Sequence, residues 1–535
     1  MRIGEYESPS VRCWMQELRM MTEMECMSML QGKPVSRNHG NKDKVEISSK
    51  HTNDILAAVK TRASIVSTEF TKLFKRLEKD RWANVKSNIL KIACHIRSLL
   101  HECNACAATP PPKLYRQEEV VMHACAKLVH FIESFGPING RKPAKATLVD
   151  HISALTGEFR KLIDLILSNE IHKVVHCIDT AENIASLKYA VSRLTKLGLE
   201  GDNMCAVIAK EGGVRALLSV CMSGELDFAW DMALRGLATI CCVADSIAEL
   251  EKGNGIYCLT EILFDQATPV ALRAEAAGVV AQVTSPLLDH CHKLQGFMEN
   301  LEELIYSLTE LCREAQNPEF FLLGAAAIAN ISFIDNLACE YIKKYHTTEV
   351  FVDACRTGRA SMIFAKDQIA TVFANMAAVE RCRCEIVEKG GLELLMQLLQ
   401  ERPGVQQRAT QKVACERVLQ KSAIALTRLS CMEEIAAEIV QLTGMNAAIR
   451  RITSACNMPS FDDPNIRDLV ELRLIDAYNI CSGRQGETLV ISNENFTQAA
   501  PPSRPRARRR RPNATRTTTT TTTARWRTRA ATSTS

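Results

Sequence analysis

The sequence predicts an all-α protein, most of it a superhelical stack of short repeats, on three observations. Of its 535 residues 46% are hydrophobic but only 5% aromatic, a mixture rich in Ala, Leu, Ile and Met that suits helices better than strands. The length exceeds what one core serves, so several units or an array are expected. Two short patterns also recur through the second half of the chain.

One pattern is a glycine-containing turn entering a helix: Lys210-Glu211-Gly212-Gly213-Val214, Glu251-Lys252-Gly253-Asn254-Gly255-Ile256 and Glu388-Lys389-Gly390-Gly391-Leu392. The other is a helix of small residues: Leu234-Arg235-Gly236-Leu237-Ala238, Val280-Ala281-Gln282-Val283-Thr284, Ile328-Ala329-Asn330-Ile331-Ser332, Phe373-Ala374-Asn375-Met376-Ala377 and Leu426-Thr427-Arg428-Leu429-Ser430. Its copies lie about 45 to 53 residues apart, near the armadillo/HEAT period once loop insertions are allowed for. No single unit buries its own apolar face, so the units must stack, and an armadillo/HEAT-like α-solenoid is expected.

The other elements follow in order. Residues 8–32 read as a separate amphipathic helix: Ser8 caps it, Pro9 suits the first helical position, and Val11, Trp14, Met15, Leu18, Met21 and Met29 recur near a 3.6-residue period. Gly32, Lys33 and Pro34 stop it. We take residues 8–36 as a partner-binding helix with an extended segment, and the polar residues 37–53 as a flexible linker. Residues 54–198 form a helical capping region with irregular periodicity, broken at Pro110-Pro111-Pro112 and at Gly136-Pro137-Ile138-Asn139-Gly140. The repeats run over 199–482. Residues 483–535, with a Pro-, Arg- and Thr-rich end that includes seven consecutive threonines, form a disordered C-terminal tail, too poor in apolar groups to offset ordering entropy.

Charge narrows the function classes. The formal net charge is +5, but residues 501–535 hold ten arginines and no acid, and removing those ten leaves −5 for the rest. A basic tail on a mildly acidic body does not make a nucleic-acid face. No apolar run reaches the roughly 18 residues of a membrane span, and the first residues lack a signal-peptide core. We therefore expect a soluble, cytoplasmic protein without direct membrane insertion. In that setting the 22 cysteines are small buried hydrophobes rather than a disulfide framework. Cys103-x-x-Cys106 near His101 has half a zinc-site spacing and no second pair. Nor is there a phosphate-cradling loop, a G-x-S-x-G or an H-E-x-x-H. The reading is non-enzymatic, with no catalytic residue, metal or cofactor.

Three candidate sites remain. In armadillo repeats an asparagine of the small-residue helix reads the backbone of an extended peptide, which places a peptide groove at Gln282, Asn330 and Asn375; the alternative is that these amides serve neighbouring loops. The N-terminal helix carries Trp14 and six methionines, adaptable apolar anchors for a partner's groove, with Glu17, Glu23 and Glu25 for a basic rim. Finally, Glu487-Thr488-Leu489-Val490 has the form of a PDZ ligand. A PDZ groove wants a free carboxylate, whereas here some 45 residues follow Val490. Either the motif is silent in this chain or the Arg- and Thr-rich tail is an erroneous extension of the reading frame, and the abrupt change in composition favours the second.

Trp14-Met15-x-x-Leu18, Met21-Thr22-Glu23-x-Glu25-Cys26-Met27 and Leu30-Gln31-x-Lys33-Pro34 resemble the partner-binding segment of the Inscuteable family. The likeness continues through Asp80-Arg81-Trp82-Ala83, Ile208-Ala209-Lys210-Glu211-Gly212-Gly213-Val214, Ala276-Ala277-x-Val279-Val280-Ala281-Gln282-Val283-Thr284-Ser285-Pro286 and Ala414-Cys415-Glu416-Arg417-Val418. It implies a polarity adaptor linking the Par-complex scaffold Bazooka, and indirectly atypical protein kinase C, to the TPR protein Partner of Inscuteable (LGN in vertebrates). That protein connects through Gα to the spindle. The resemblance makes Trp14, Met15, Leu18, Met21, Glu23, Glu25, Met27 and Leu30 the TPR-binding residues and implies the apical cell cortex. Beyond Pro34 the chain reads Val35-Ser36-Arg37-Asn38-His39, where the family pattern leads us to expect acids. The competing reading is an armadillo-repeat chaperone or general peptide-binding scaffold.

Overall fold

Apolar side chains at alternating steps of three and four residues open the described chain. In the computed structural model, which describes residues 49–79, 84–106, 112–135, 144–285, 295–401 and 408–443, four long helices come first: α1 (Ser49–Glu78), α2 (Val85–Cys106), α3 (Pro112–Glu133) and α4 (Lys145–Asp179). Val85, Ile89, Ile92, Ile96 and Leu99 on α2, and Leu148, Ile152, Leu155, Phe159, Leu162 and Ile166 on α4, are all buried in one cluster. That spacing makes a narrow seam, and helices with such seams pack nearly parallel or antiparallel. Each helix packs on the next and α1 closes on α4, so the capping region is a four-helix bundle. Its periodicity, expected to be irregular, is a regular seam with polar side chains between the apolar positions. α1 begins at Ser49, inside the stretch expected to be a linker. α3 begins on Pro112, where a missing N–H costs nothing.

From α4 the chain passes into triplets of helices. α5 (Ile184–Gly198) packs on α4. Then come α6 (Asp202–Lys210), α7 (Gly213–Met222) and α8 (Trp230–Ile240); α9 (Ala244–Lys252), α10 (Gly255–Phe264) and α11 (Val270–Val283); and α12 (Gln295–Glu299), α13 (Leu301–Glu314) and α14 (Pro318–Ile334). Next are α15 (Asn336–Lys344), α16 (Thr347–Arg356) and α17 (Ile363–Ala378), then α18 (Arg383–Glu388), α19 (Gly391–Leu398) and α20 (Ala409–Leu429), before α21 (Glu433–Thr443). The third helices form one continuous stack, α5 on α8 on α11 on α14 on α17 on α20. Three helices per unit with stacked third helices is the armadillo arrangement, so the described chain is an all-α solenoid. One apolar cluster runs the length of the array and begins at Ile171 within α4. The repeat core therefore reaches back into the region assigned to the cap.

The small-residue pattern has a direct cause. Every residue of α14 from Phe321 to Ser332 is buried, because neighbouring third helices flank it on two sides and its own repeat covers another. Gly and Ala permit that approach: a Cβ on Gly324 would lie 2.8 Å from the Cys312 sulfur.

The glycine turns join first to second helices. Gly212 and Gly390 adopt φ of +83° and +78°, where a side chain is strained. The following Gly213 has no room, since a Cβ would meet Ile208 Cγ2 at 2.4 Å. The same left-handed residue recurs as Asn254 and His346, both at φ 55°. At the latter, Thr347 replaces the second glycine and its hydroxyl pairs with Thr309 Oγ1 at 2.8 Å.

Most described cysteines in the array are buried and all are free. Burial pushes the Cys258, Cys355 and Cys382 thiols up to about 11 and raises Cys221, Cys241 and Cys312 further. They pack as hydrophobes, as the apolar context implied. Among the described residues no helix is long and apolar enough to cross a membrane.

Candidate peptide-binding site

The third-helix stack brings Gly236, Gln282, Asn330, Asn375 and Arg428 to corresponding places in successive repeats. Asn330 Nδ2 donates to the Ala281 carbonyl at 2.8 Å, and Asn375 Nδ2 to Ser332 Oγ at 2.9 Å. Arg428 Nη1 donates to the Ala374 carbonyl at 2.7 Å. Each side chain thus reaches back to the preceding third helix. Both asparagines are about 94% buried, at 6% exposure, and Gln282 is buried at 5%. Gly236 shows why one repeat lacks a side chain here: a Cβ would sit 3.0 Å from both Leu217 Cδ1 and Thr195 Oγ1. The two asparagines expected to read a peptide therefore carry inter-repeat bonds in this structure.

Charge in the stack is paired at the repeat period. Arg235 pairs with Glu275, and Arg273 with Glu314. Burial raises the Glu275 carboxyl above its ordinary value, with Arg235 opposing that shift. The deepest group is Asp367 on α17, fully buried, which takes Arg417 Nε at 3.0 Å and Lys421 Nζ at 2.7 Å. Lys421 also donates to Thr371 Oγ1 at 2.6 Å. These partners lie about fifty residues apart in sequence, and periodicity alone gives no sign of them.

A second feature went unread in the sequence. The rings of Phe264, Tyr306 and Tyr345 form a chain across three repeats, with centroids 5.9 and 5.2 Å apart. Glu302 accepts from the Tyr345 hydroxyl at 2.8 Å and from Lys344, and both bonds hold its carboxyl below the usual carboxylate value. An aromatic at near-repeat spacing was the available signal. Elsewhere, a shallow depression on α2 is lined by Lys86, Ser87, Leu90, Lys91 and Cys94. Among the described residues no three His, Cys, Asp or Glu side chains gather to hold a metal ion. Trp14, Met15, Leu18, Met21, Glu23, Glu25, Met27 and Leu30, and likewise Glu487, Thr488, Leu489 and Val490, lie outside the described residues.

Comparison with known proteins bears on the chain as a whole. Residues 62–470 match the family described as Protein inscuteable C-terminal, and residues 8–52 match the Inscuteable LGN-binding domain. The mouse and human proteins named Protein inscuteable homolog are each 36% identical over 512 residues, covering 90% of this chain and 88% of the relative. Among solved structures, an engineered protein aligns with a TM-score of 0.47 at 18% identity, over 77% of this chain and 99% of its own. A designed armadillo repeat protein aligns at 0.40 and 17%, over 48% and 99%. With matches to both family segments and relatives of this identity and coverage, the chain belongs to the Inscuteable family.

Proposed function

We propose that the chain is a non-enzymatic adaptor of spindle orientation whose residues 8–36 dock on the TPR domain of Partner of Inscuteable/LGN. The observation that carries this reading is the match of residues 8–52 to the Inscuteable LGN-binding domain, over the stretch that sets Trp14, Met15, Leu18, Met21, Met27 and Leu30 at helical spacing. A tryptophan and methionines supply apolar anchors to a helical-repeat groove, while Glu23 and Glu25 set register and on-rate. In this reading residues 37–48 tether the helix, the bundle that opens at Ser49 forms the cap, the repeats follow to residue 482 and residues 483–535 form the tail. The Par-complex scaffold Bazooka is the second partner in this reading, and the Glu487–Val490 motif serves it only where Val490 is the free C-terminus. Through it the chain meets atypical protein kinase C, and through LGN it meets Gα. The apical cortex of dividing cells is where those partners would place it.

The test is calorimetric titration of a residue 8–36 peptide into the TPR domain of LGN. Submicromolar one-to-one binding is expected. In the full chain Trp14→Ala with Leu18→Ala should weaken binding about a hundredfold, because truncating a buried tryptophan anchor costs about 2 kcal/mol or more and the loss of Leu18 packing adds to it. Equal affinity of the double variant and the parent would refute these anchors.

A further inference from the structure

Where the first repeat passes into the second, two thiols meet. Cys205 lies on α6 and is fully buried. Its Sγ donates to the Gly198 carbonyl at 3.2 Å and lies 3.8 Å from the Thr239 carbonyl. Thr239 belongs to the last turn of α8, whose final carbonyls have no partner within the helix, and Cys241 and Cys242 follow that turn directly. The Cys205 sulfur therefore sits at the end of α8, beside the place where Cys242 leaves it. α6 packs on α8, and the Cys205 and Cys242 side chains are hydrogen-bonded to each other. Both thiols are free. Cys242 is half-buried and stands in the turn between α8 and α9, so a small reagent reaches it from solvent while Cys205 stays behind it.

The contact makes the two sulfurs unequal. Its hydrogen bond, with burial added, raises the Cys205 thiol above its ordinary value. The same bond lowers Cys242, against burial and the Asp202 carboxylate, which both oppose the shift. A thiolate is the nucleophile in exchange with a disulfide, and a neighbouring thiol that donates to it makes it easier to form. Cys242 is thus the sulfur placed to attack, and Cys205 the one placed to resolve the product from inside. At Cys221, Cys241 and Cys312 burial is the dominant influence and the thiol is raised, so none of these offers a thiolate. The turn that carries Cys242 lies between helices rather than within one, which leaves its backbone free to adjust to the specific geometry of an S–S bond.

We propose that Cys205 and Cys242 are a redox modification site, closing to a reversible disulfide by exchange with a low-molecular-weight disulfide such as glutathione disulfide. The Cys242 thiolate attacks one sulfur of that reagent; its S–S bond breaks as the Cys242–glutathione bond forms, and the departing glutathione thiolate takes up a proton. Cys205 then gives its proton to solvent and attacks the Cys242 sulfur, expelling the second glutathione. Two protein thiols are oxidised and one disulfide is reduced to two thiols. The new bond staples the first helix of the first repeat to the end of its third, and it does not depend on how residues 8–36 bind. In the test the native full chain is incubated with glutathione disulfide, remaining thiols are blocked with N-ethylmaleimide, and peptides are mapped by mass spectrometry, with fragmentation separating Cys241 from Cys242. A Cys205–Cys242 link is expected, and dithiothreitol should remove it. In Cys205→Ser, whose hydroxyl can keep the bond to the Gly198 carbonyl, the link is lost and Cys242 accumulates as the glutathione mixed disulfide, because nothing resolves it. Phenylarsine oxide, which bridges two adjacent thiols, should protect both cysteines of the parent from N-ethylmaleimide. The site is overturned if no Cys205–Cys242 link forms under conditions that glutathionylate the exposed Cys384 and Cys431. A link that appears only after unfolding in urea, or equal Cys242 mixed disulfide in the variant and the parent, would overturn it as well.

Discussion

Replacing Asp367 by alanine is the most demanding perturbation of the array. Its carboxylate is the common acceptor for Arg417 and Lys421, which are 1% and 4% exposed. Both cations reach α17 from α20, so the substitution strips two charge-assisted bonds across one inter-repeat interface. Removing one partner of a buried pair costs about 3–5 kcal/mol, much of it the penalty of the charge left behind. In a solenoid that cost falls on the α17–α20 interface and its neighbours rather than on the whole chain. The assay is therefore local: hydrogen exchange resolved by peptide, with protection in α17 and α20 expected to fall by about two to four orders of magnitude. Protection in the bundle α1–α4 should hold. Replacing all three residues with apolar side chains of similar size should restore most of the protection, since a buried ion pair and a packed apolar core are often equivalent. An Asp367→Ala variant within tenfold of parental exchange in both helices would refute the argument that this carboxylate holds the interface.

Three further outcomes follow from the geometry. Gly213→Ala places a Cβ 2.4 Å from Ile208 Cγ2 and 3.0 Å from its carbonyl; we expect a loss of about 1–3 kcal/mol in urea unfolding, and an unchanged midpoint would show that the turn relaxes freely. Glu275 gives the pH dependence. Its carboxyl is raised by burial in the folded state, so its contribution to stability is full below the unfolded value near 4.5 and is lost as pH rises through the folded value. Glu275→Gln should flatten stability against pH in that window, and parallel profiles for the two proteins would contradict the assignment. Asn330→Ala removes the bond to the Ala281 carbonyl and should cost about 1 kcal/mol in denaturant unfolding. A variant as stable as the parent would mean that the amide does not hold the stack and is available to a ligand.

What the sequence revealed and what it hid divide along one line. Features repeated at a fixed local spacing were legible. The Gly-Gly turns were visible because glycine has few substitutes at φ near +80°. The equivalent His346-Thr347 escaped because a left-handed histidine and a Thr347–Thr309 hydroxyl pair do the same work with other letters. The small-residue helices were legible for the same reason: their crowding excludes large side chains. The bundle was harder. On α1 its seam at Val59, Val66, Phe70, Leu73 and Leu77 is separated by lysines, arginines, serines and threonines whose polarity dominates a running average. The roles of buried polar groups were not legible at all. Whether Asn330 faces a ligand or the Ala281 carbonyl depends on where a neighbour 49 residues away has been carried by the superhelix.

The bonding pattern also constrains how such an array could recognise anything. In the later part of the stack, polar side chains of α14, α17 and α20 reach back to the third helix before them: Asn330 to Ala281, Asn375 to Ser332, Arg428 to Ala374 and Lys421 to Asp367. These bonds couple neighbouring repeats and fix their rotation, which gives the solenoid its shape. A donor committed in this way gains little by turning to a peptide, because its abandoned acceptor would lie buried and unpaired. Recognition by the stack then falls to side chains that hold no such bond.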